Sequence, residues 1–197
     1  MSESRPLIST RLRVVGLVPL AFVSLHFYQQ LNYGNPWNLL WWCHVANLAL
    51  AAGLLFAAAG LVRVSVIWLS LGLPLWVYES IELGELNPTS CLTHLGGLAL
   101  GLFLLSRLRA APRAGLHAFL LGIAVQLLSG WLTPAELNVN VAHGIRPGWE
   151  GVFSAYWQYR VITTIFFLVT LLGINRVLMR IFPAQINERK NHEIAGD

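Results

Sequence analysis

Arg63-Val64-Ser65-Val66-Ile67-Trp68-Leu69-Ser70-Leu71-Gly72-Leu73-Pro74-Leu75-Trp76-Val77-Tyr78-Glu79 decides the fold class. An arginine opens this stretch, a glutamate closes it, and fifteen uncharged residues lie between them. A helix on the surface of a soluble domain would interrupt such a run with a charged face. The run covers about 22 Å as a helix, less than the ~30 Å hydrocarbon core of a bilayer. Its closing carboxylate therefore belongs at or just below a membrane interface, where a charge is costly unless paired or wet.

Outward from this stretch the pattern repeats. Apolar segments fall near 13–33, 37–60, 62–84, 88–107, 114–132 and 155–181, each close to the ~20 residues a membrane span needs. The chain is 56% hydrophobic and only 11% charged, far below the charge content of a soluble domain. The reading is an all-α polytopic membrane protein with six transmembrane helices. One membrane domain covers 13–183, between an N-terminal segment 1–12 and a tail 184–197. The run Val14–Leu25 follows basic residues as a secretory signal does, but no small-x-small cleavage site follows it, which points to a retained signal-anchor helix.

The net charge of +4 is a topology signal and not a nucleic-acid footprint, because of how it is distributed. Arg5, Arg11, Arg13, Arg63, Arg107, Arg109, Arg113, Arg176, Arg180, Arg189 and Lys190 all fall on one side of a six-span chain. The other side holds Arg146 and Arg160 against Glu79, Glu82, Glu85, Glu136 and Glu150. The positive-inside rule then places both termini in the cytoplasm of a bacterial-type inner (plasma) membrane. Membrane lipids are the expected partners, with some attraction of the basic side for anionic lipid.

Local signals refine the helices. Asn35-Pro36 and Asn87-Pro88 each pair an N-cap residue with proline at the first helical position, opening the second and fourth helices. Pro19 and Gly72-Leu73-Pro74 are expected to bend the first and third. Six of the eight tryptophans lie toward outer segment ends and read as an aromatic belt. Gly97-x-x-x-Gly101 and Gly53-x-x-x-Ala57 are small-residue faces, suited to close helix approach and to homo-oligomer contacts. The long outer loop 133–154 opens with the capping-box pattern Thr133-Pro134-Ala135-Glu136. It continues Asn138-Val139-Asn140-Val141-Ala142-His143-Gly144-Ile145-Arg146-Pro147-Gly148-Trp149, and reads as an ordered lid over the outer mouth.

Four of the six histidines, His26, His44, His94 and His143, map to the outer half. His94 lies about 9 Å along its helix from Pro88. It shares a face with Ser90, Gly97 and Gly101, a seam that looks into the bundle. The second helix adds Cys43, His44 and Asn47. Neighbouring helical residues diverge by about 100°, so Cys43 and His44 cannot both face one partner. A Cys43–His94 pair would let imidazole activate a thiolate. A His44–His94 pair with Glu79 and His143 would suit a divalent metal, or haem. Glu79 and Glu82 are also placed to pair with Arg160. Cys43 and Cys91 lie in outer halves of their helices, where a disulfide is conceivable.

The stretch Pro36–Asn47, the acid-ended third helix, the Thr93-His94 pair and the Thr133–Asn140 loop resemble an uncharacterised family of small bacterial membrane proteins. A cysteine early in one helix with a histidine two helices on distantly resembles transmembrane acyltransferases and the fatty-acid-ester hydrolases related to the androgen-induced protein. That resemblance implies an intramembrane enzyme with Cys43 as nucleophile and His94 as base. Three readings follow. The first is a lipid acyl hydrolase or acyltransferase using Cys43, His94 and an orienting Asn47. The second is a metal- or haem-binding membrane protein using His44, His94, Glu79 and His143. The third is a non-catalytic transporter or structural subunit whose polar cluster is packing glue.

Overall fold

The structure is a computed structural model that describes residues 8–84 and 86–183. Arg5, Glu85, Arg189, Lys190, His192 and the proposed tail 184–197 lie outside the described residues. All the regular structure among the described residues is helical. In chain order it comprises α1 (Thr10–Val15), α2 (Leu17–Asn32), α3 (Trp42–Leu55), α4 (Ala59–Leu83), α5 (Pro88–Cys91), α6 (Gly97–Leu108), α7 (Ala114–Leu132) and α8 (Tyr156–Ile181). A π-turn over Leu92–Gly96 joins α5 to α6, and short 3-10 turns lie at Pro36–Leu40, Ala135–Leu137 and Val139–Val141.

Five helical stretches are long and apolar enough to cross a membrane: Thr10–Asn32, Ala59–Glu82, Pro88–Leu108, Ala114–Leu132 and Tyr156–Ile181. The sixth apolar helix, α3, departs from its expected range of 37–60. It has 14 residues, about 21 Å, short of the hydrocarbon thickness. Pro36 does occupy a first helical position, but of a 3-10 turn rather than of α3. The Asn87-Pro88 signal performs as expected: the Asn87 side chain accepts from the Thr89 N–H. At the far end of α4, Gly84 takes the left-handed conformation (φ +65°) that closes many helices. The helix runs through Pro74 as one element.

α4 is the central post, lying against α3, α6, α7 and α8. Its core face is Val62, Val66, Ile67 and Leu69, packed with Leu50 and Leu54 of α3, Leu104 and Leu105 of α6 and Leu171 of α8. Small residues set the close approaches. A Cβ at Gly101 would meet Val66 at 2.8 Å, and one at Gly97 would collide with the Asn47 amide oxygen. The expected Gly97/Gly101 seam is therefore occupied within the chain by α3 and α4. The Gly53/Ala57 pair forms no helix face, because α3 ends at Leu55 and Ala57 has a φ of 57°.

The connections at the arginine-rich end are held by side chains that reach helix carbonyls. Arg63 donates to the carbonyls of Leu108 (2.9 Å) and Arg109 (2.8 Å), which the end of α6 leaves open. Asn175 of α8 does the same for Ala111 and Pro112.

The opposite end is built around loop 133–154, which is pinned rather than free-standing. Asn140 is 1% exposed, and its side chain makes three hydrogen bonds. Nδ2 donates to Leu40 O and Ser129 Oγ, both at 2.8 Å, while Oδ1 accepts the Trp42 N–H at 3.1 Å. Asn140 thus caps α3, which has no side-chain cap of its own. Asn138 accepts from the His143 and Gly144 amides at 3.0 and 2.9 Å. Asn138, Asn140 and Val141 all have positive φ. Asparagine tolerates that region, but a β-branched valine is strained in it. The single Tyr156 hydroxyl proton, shared between Ala142 O at 2.7 Å and Val141 O at 3.0 Å, holds the strained turn in place.

Candidate functional site

At the glutamate-bearing end, α4, α7, α8 and the loop enclose a cavity of about 300 Å³. Its walls are largely apolar: Leu71, Leu75 and Trp76 from α4, Ile123 from α7, and Phe166 and Phe167 from α8. Trp42 stacks on Phe167 with ring centres 4.5 Å apart. The Trp42 and Trp68 indoles donate into α7, to Gly122 O at 3.2 Å and Ala118 O at 3.0 Å. These bonds fix the aromatic floor. Asn140, Val141, Arg146 and Trp149 of the loop form the roof. Leu75 and Phe166 also lie on the exposed flank of the bundle, so the cavity reaches the apolar exterior between α4 and α8.

Cys43 and His94 both line this cavity. Cys43 lies opposite Gly72 of α4, where an added Cβ would make only an ordinary 3.7 Å contact with the Cys43 Cβ. His94 stands in the π-turn, where backbone bonding runs to the fifth residue rather than the fourth. Its Nδ1 lies 2.9 Å from the Ser90 carbonyl oxygen. A carbonyl only accepts, so Nδ1 carries the proton and Nε2 carries the lone pair. Among the described residues Nε2 has no hydrogen-bond partner, and it is not among the sealed, unpartnered atoms of the interior. Trp76 covers one face of the imidazole, stacked at 4.9 Å with the planes 12° apart. Among the described residues, no hydrogen bond joins the Cys43 thiol to His44 or His94.

Asn47 is fully buried and donates to Cys43 O and Thr93 O, each at 2.9 Å. It ties the backbone at Cys43 to the backbone beside His94. Its Oδ1 is unpartnered against Gly97, a contact that only glycine permits. Among the described residues Asn47 bonds only these two backbone carbonyls and makes no bond to either ring.

His44 takes the other side of α3. Its Nδ1 donates to Asn38 O, and its ring lies 4.6 Å from that of His26 and 6.4 Å, edge-on, from that of His94. His26 has both nitrogens bonded, Nδ1 to Thr89 Oγ1 at 2.8 Å and Nε2 to Gln30 Nε2 at 3.3 Å. Gln30 in turn accepts from Asn38 at 2.7 Å, and Thr89 donates to Gln29.

The set His44, His94, Glu79 and His143 does not assemble. Glu79 pairs with Arg146 at 3.2 Å. His143 bonds Thr133 Oγ1 at 3.3 Å within the loop. Among the described residues no group of three or more His, Cys, Asp and Glu side chains converges on a metal position. The expected Glu79–Arg160 pair is also replaced. Arg160 donates to Tyr156 Oη at 3.1 Å, and Glu82 accepts from Tyr78 Oη. Cys43 and Cys91 are free thiols.

Three contributors escaped the sequence reading: Trp76 on the imidazole face, the Ser90 carbonyl that sets the tautomer, and Arg146 in the roof. Arg146 left a trace as one of two cations on an otherwise acidic side, and Ser90 as a residue on the face of His94. No protein-family model, curated protein or solved structure matches the chain.

Proposed function

We propose that this chain is a six-span enzyme of a bacterial-type inner membrane that cleaves or transfers acyl groups, with both termini cytoplasmic and the cavity in the outer leaflet. The arginine-rich end supports the orientation. α3 serves as the sixth crossing by adding the Pro36–Leu40 turn to its 14 residues. The observation that carries the chemistry is that Cys43 and His94 open onto one apolar cavity, and that the imidazole presents an unbonded Nε2.

An acyl chain enters between Leu75 and Phe166. His94 Nε2 takes the thiol proton of Cys43, and the thiolate attacks the ester carbonyl. The tetrahedral adduct collapses, the C–O bond breaks, and the leaving alkoxide takes the proton from the imidazolium. Water, or a second alcohol, then gives its proton to His94 and attacks the thioester. The C–S bond breaks and the thiolate recovers the proton. The ring need not already touch the thiol at rest, since such bonds commonly tighten only with substrate bound. The distant resemblance of the Cys43–His94 pattern to the fatty-acid-ester hydrolases related to the androgen-induced protein points the same way.

The test is covalent labelling in micelles with a long-chain alkyl chloroacetamide, read by intact mass and peptide mapping. Cys43 is expected to take the label and C43S to abolish it, while C91S leaves it in place. Label distributed equally over Cys91, or no label on Cys43, would overturn the reading.

A further inference from the structure

Among the described residues, Arg146 is the only arginine or lysine lining the cavity, and it stands in the roof. One of its five N–H donors meets Glu79, leaving donors free for a second anion. The guanidinium lies over the Tyr78 ring, 5.6 Å from its centre, with the exposed Trp149 nearby on the same loop. Exposed tyrosine and tryptophan settle at the headgroup level of a bilayer, where the abundant anion is lipid phosphate.

We infer that Arg146 binds the phosphate of a glycerophospholipid whose acyl chain occupies the cavity, with Glu79 as the internal competitor for the guanidinium. This rests on reading the cavity as an acyl site, and it names the substrate class. A phosphate diester offers two free oxygens to the guanidinium fork. Glu79 holds the fork in place while the mouth is empty and must share it when a lipid arrives. Removing the two partners of this ion pair therefore has opposite effects on lipid binding. A merely structural pair would respond in the same direction to either change.

Native mass spectrometry of the full chain in detergent tests this with phosphatidylcholine and with diacylglycerol of matched chains. The unmodified protein is expected to hold the phospholipid about tenfold more tightly than the diacylglycerol. R146Q should erase that preference, and E79Q should strengthen phospholipid binding several-fold. If R146Q does not fold, E79Q decides alone. Equal binding of the two lipids, weaker phospholipid binding in E79Q, or displacement of the phospholipid by millimolar inorganic phosphate or by free fatty acid would overturn the inference. The same measurements on C43S separate the two proposals. A retained headgroup preference without any acyl-Cys43 mass in the unmodified protein defeats the chemistry alone. Acylation of Cys43 equally from both lipids defeats the headgroup site alone.

Discussion

Two histidines of this bundle are equally buried, each 5% exposed, yet they have different environments. His26 on α2 has both ring nitrogens bonded, and its neighbours Thr89, Gln30 and Asn38 are bonded in turn. His94 has one nitrogen fixed by a backbone carbonyl and the other bare, on the wall of a cavity. Residue type and burial do not separate a reactive site from packing glue. The distinction lies in whether a side chain's hydrogen-bonding capacity is satisfied by the protein or left facing a space that something else can enter. His26 belongs to a closed network, and His94 belongs to an open one.

The largest effect that sharpens this contrast is on chemistry. H94Q keeps a polar side chain on the wall but removes the base. The rate of Cys43 acylation should fall by about 10²–10⁴-fold, the usual contribution of a positioned general base. Stopped reactions followed by intact mass give the rate directly. A rate unchanged in H94Q would mean that the free lone pair has no part in activating the thiol.

The next effect is on stability, and it concerns the roof. N140A removes three hydrogen bonds of a buried side chain and puts alanine at a φ of 55°. The loss should be about 3 kcal/mol, roughly 1 kcal/mol per bond, read by reversible unfolding in mixed micelles. N140G retains the backbone conformation and should lose somewhat less. A loss below about 0.5 kcal/mol in N140A, the usual range for a surface change, would show that the loop is not pinned by this side chain.

Asn140 also marks where sequence reading stops. Charge alternation and run length located α4, the Pro88–Leu108 stretch, α7 and α8 to within a few residues, because lipid imposes composition over a whole span. The Asn87-Pro88 start was legible because cap and helix are adjacent. The start of α3 was not, because its cap comes from Asn140, 98 residues downstream of Trp42. The proline at Pro36 is a strong local signal, but it serves a 3-10 turn. His94 was legible as inward-facing from its glycine seam. Its tautomer was not, since Leu92-Thr93-His94-Leu95-Gly96 reads as ordinary helix and the π-turn depends on how α6 meets α3. The sequence places Glu79 to pair with Arg160, near the start of α8. The chain chose Arg146 instead, because the loop folds back over α4, a long-range event with no local signature.

The smallest effect probes the closed side of the comparison. H26F keeps a flat ring beside His44, 4.6 Å away in the native chain, and deletes both side-chain bonds. Thr89 retains Gln29 and Asn87 as partners, and Gln30 retains Asn38. Little is left unsatisfied, so the cost should be about 1 kcal/mol, near the net worth of one hydrogen bond. Cys43 acylation should proceed at the native rate, because no atom of His26 lines the cavity. The paired readout gives the variant its value, since a structural histidine lowers stability without touching the rate. If H26F instead slowed acylation as severely as H94Q, the imidazoles of His26, His44 and His94 would have to be treated as one functional unit. The division between an open and a closed network would then fail.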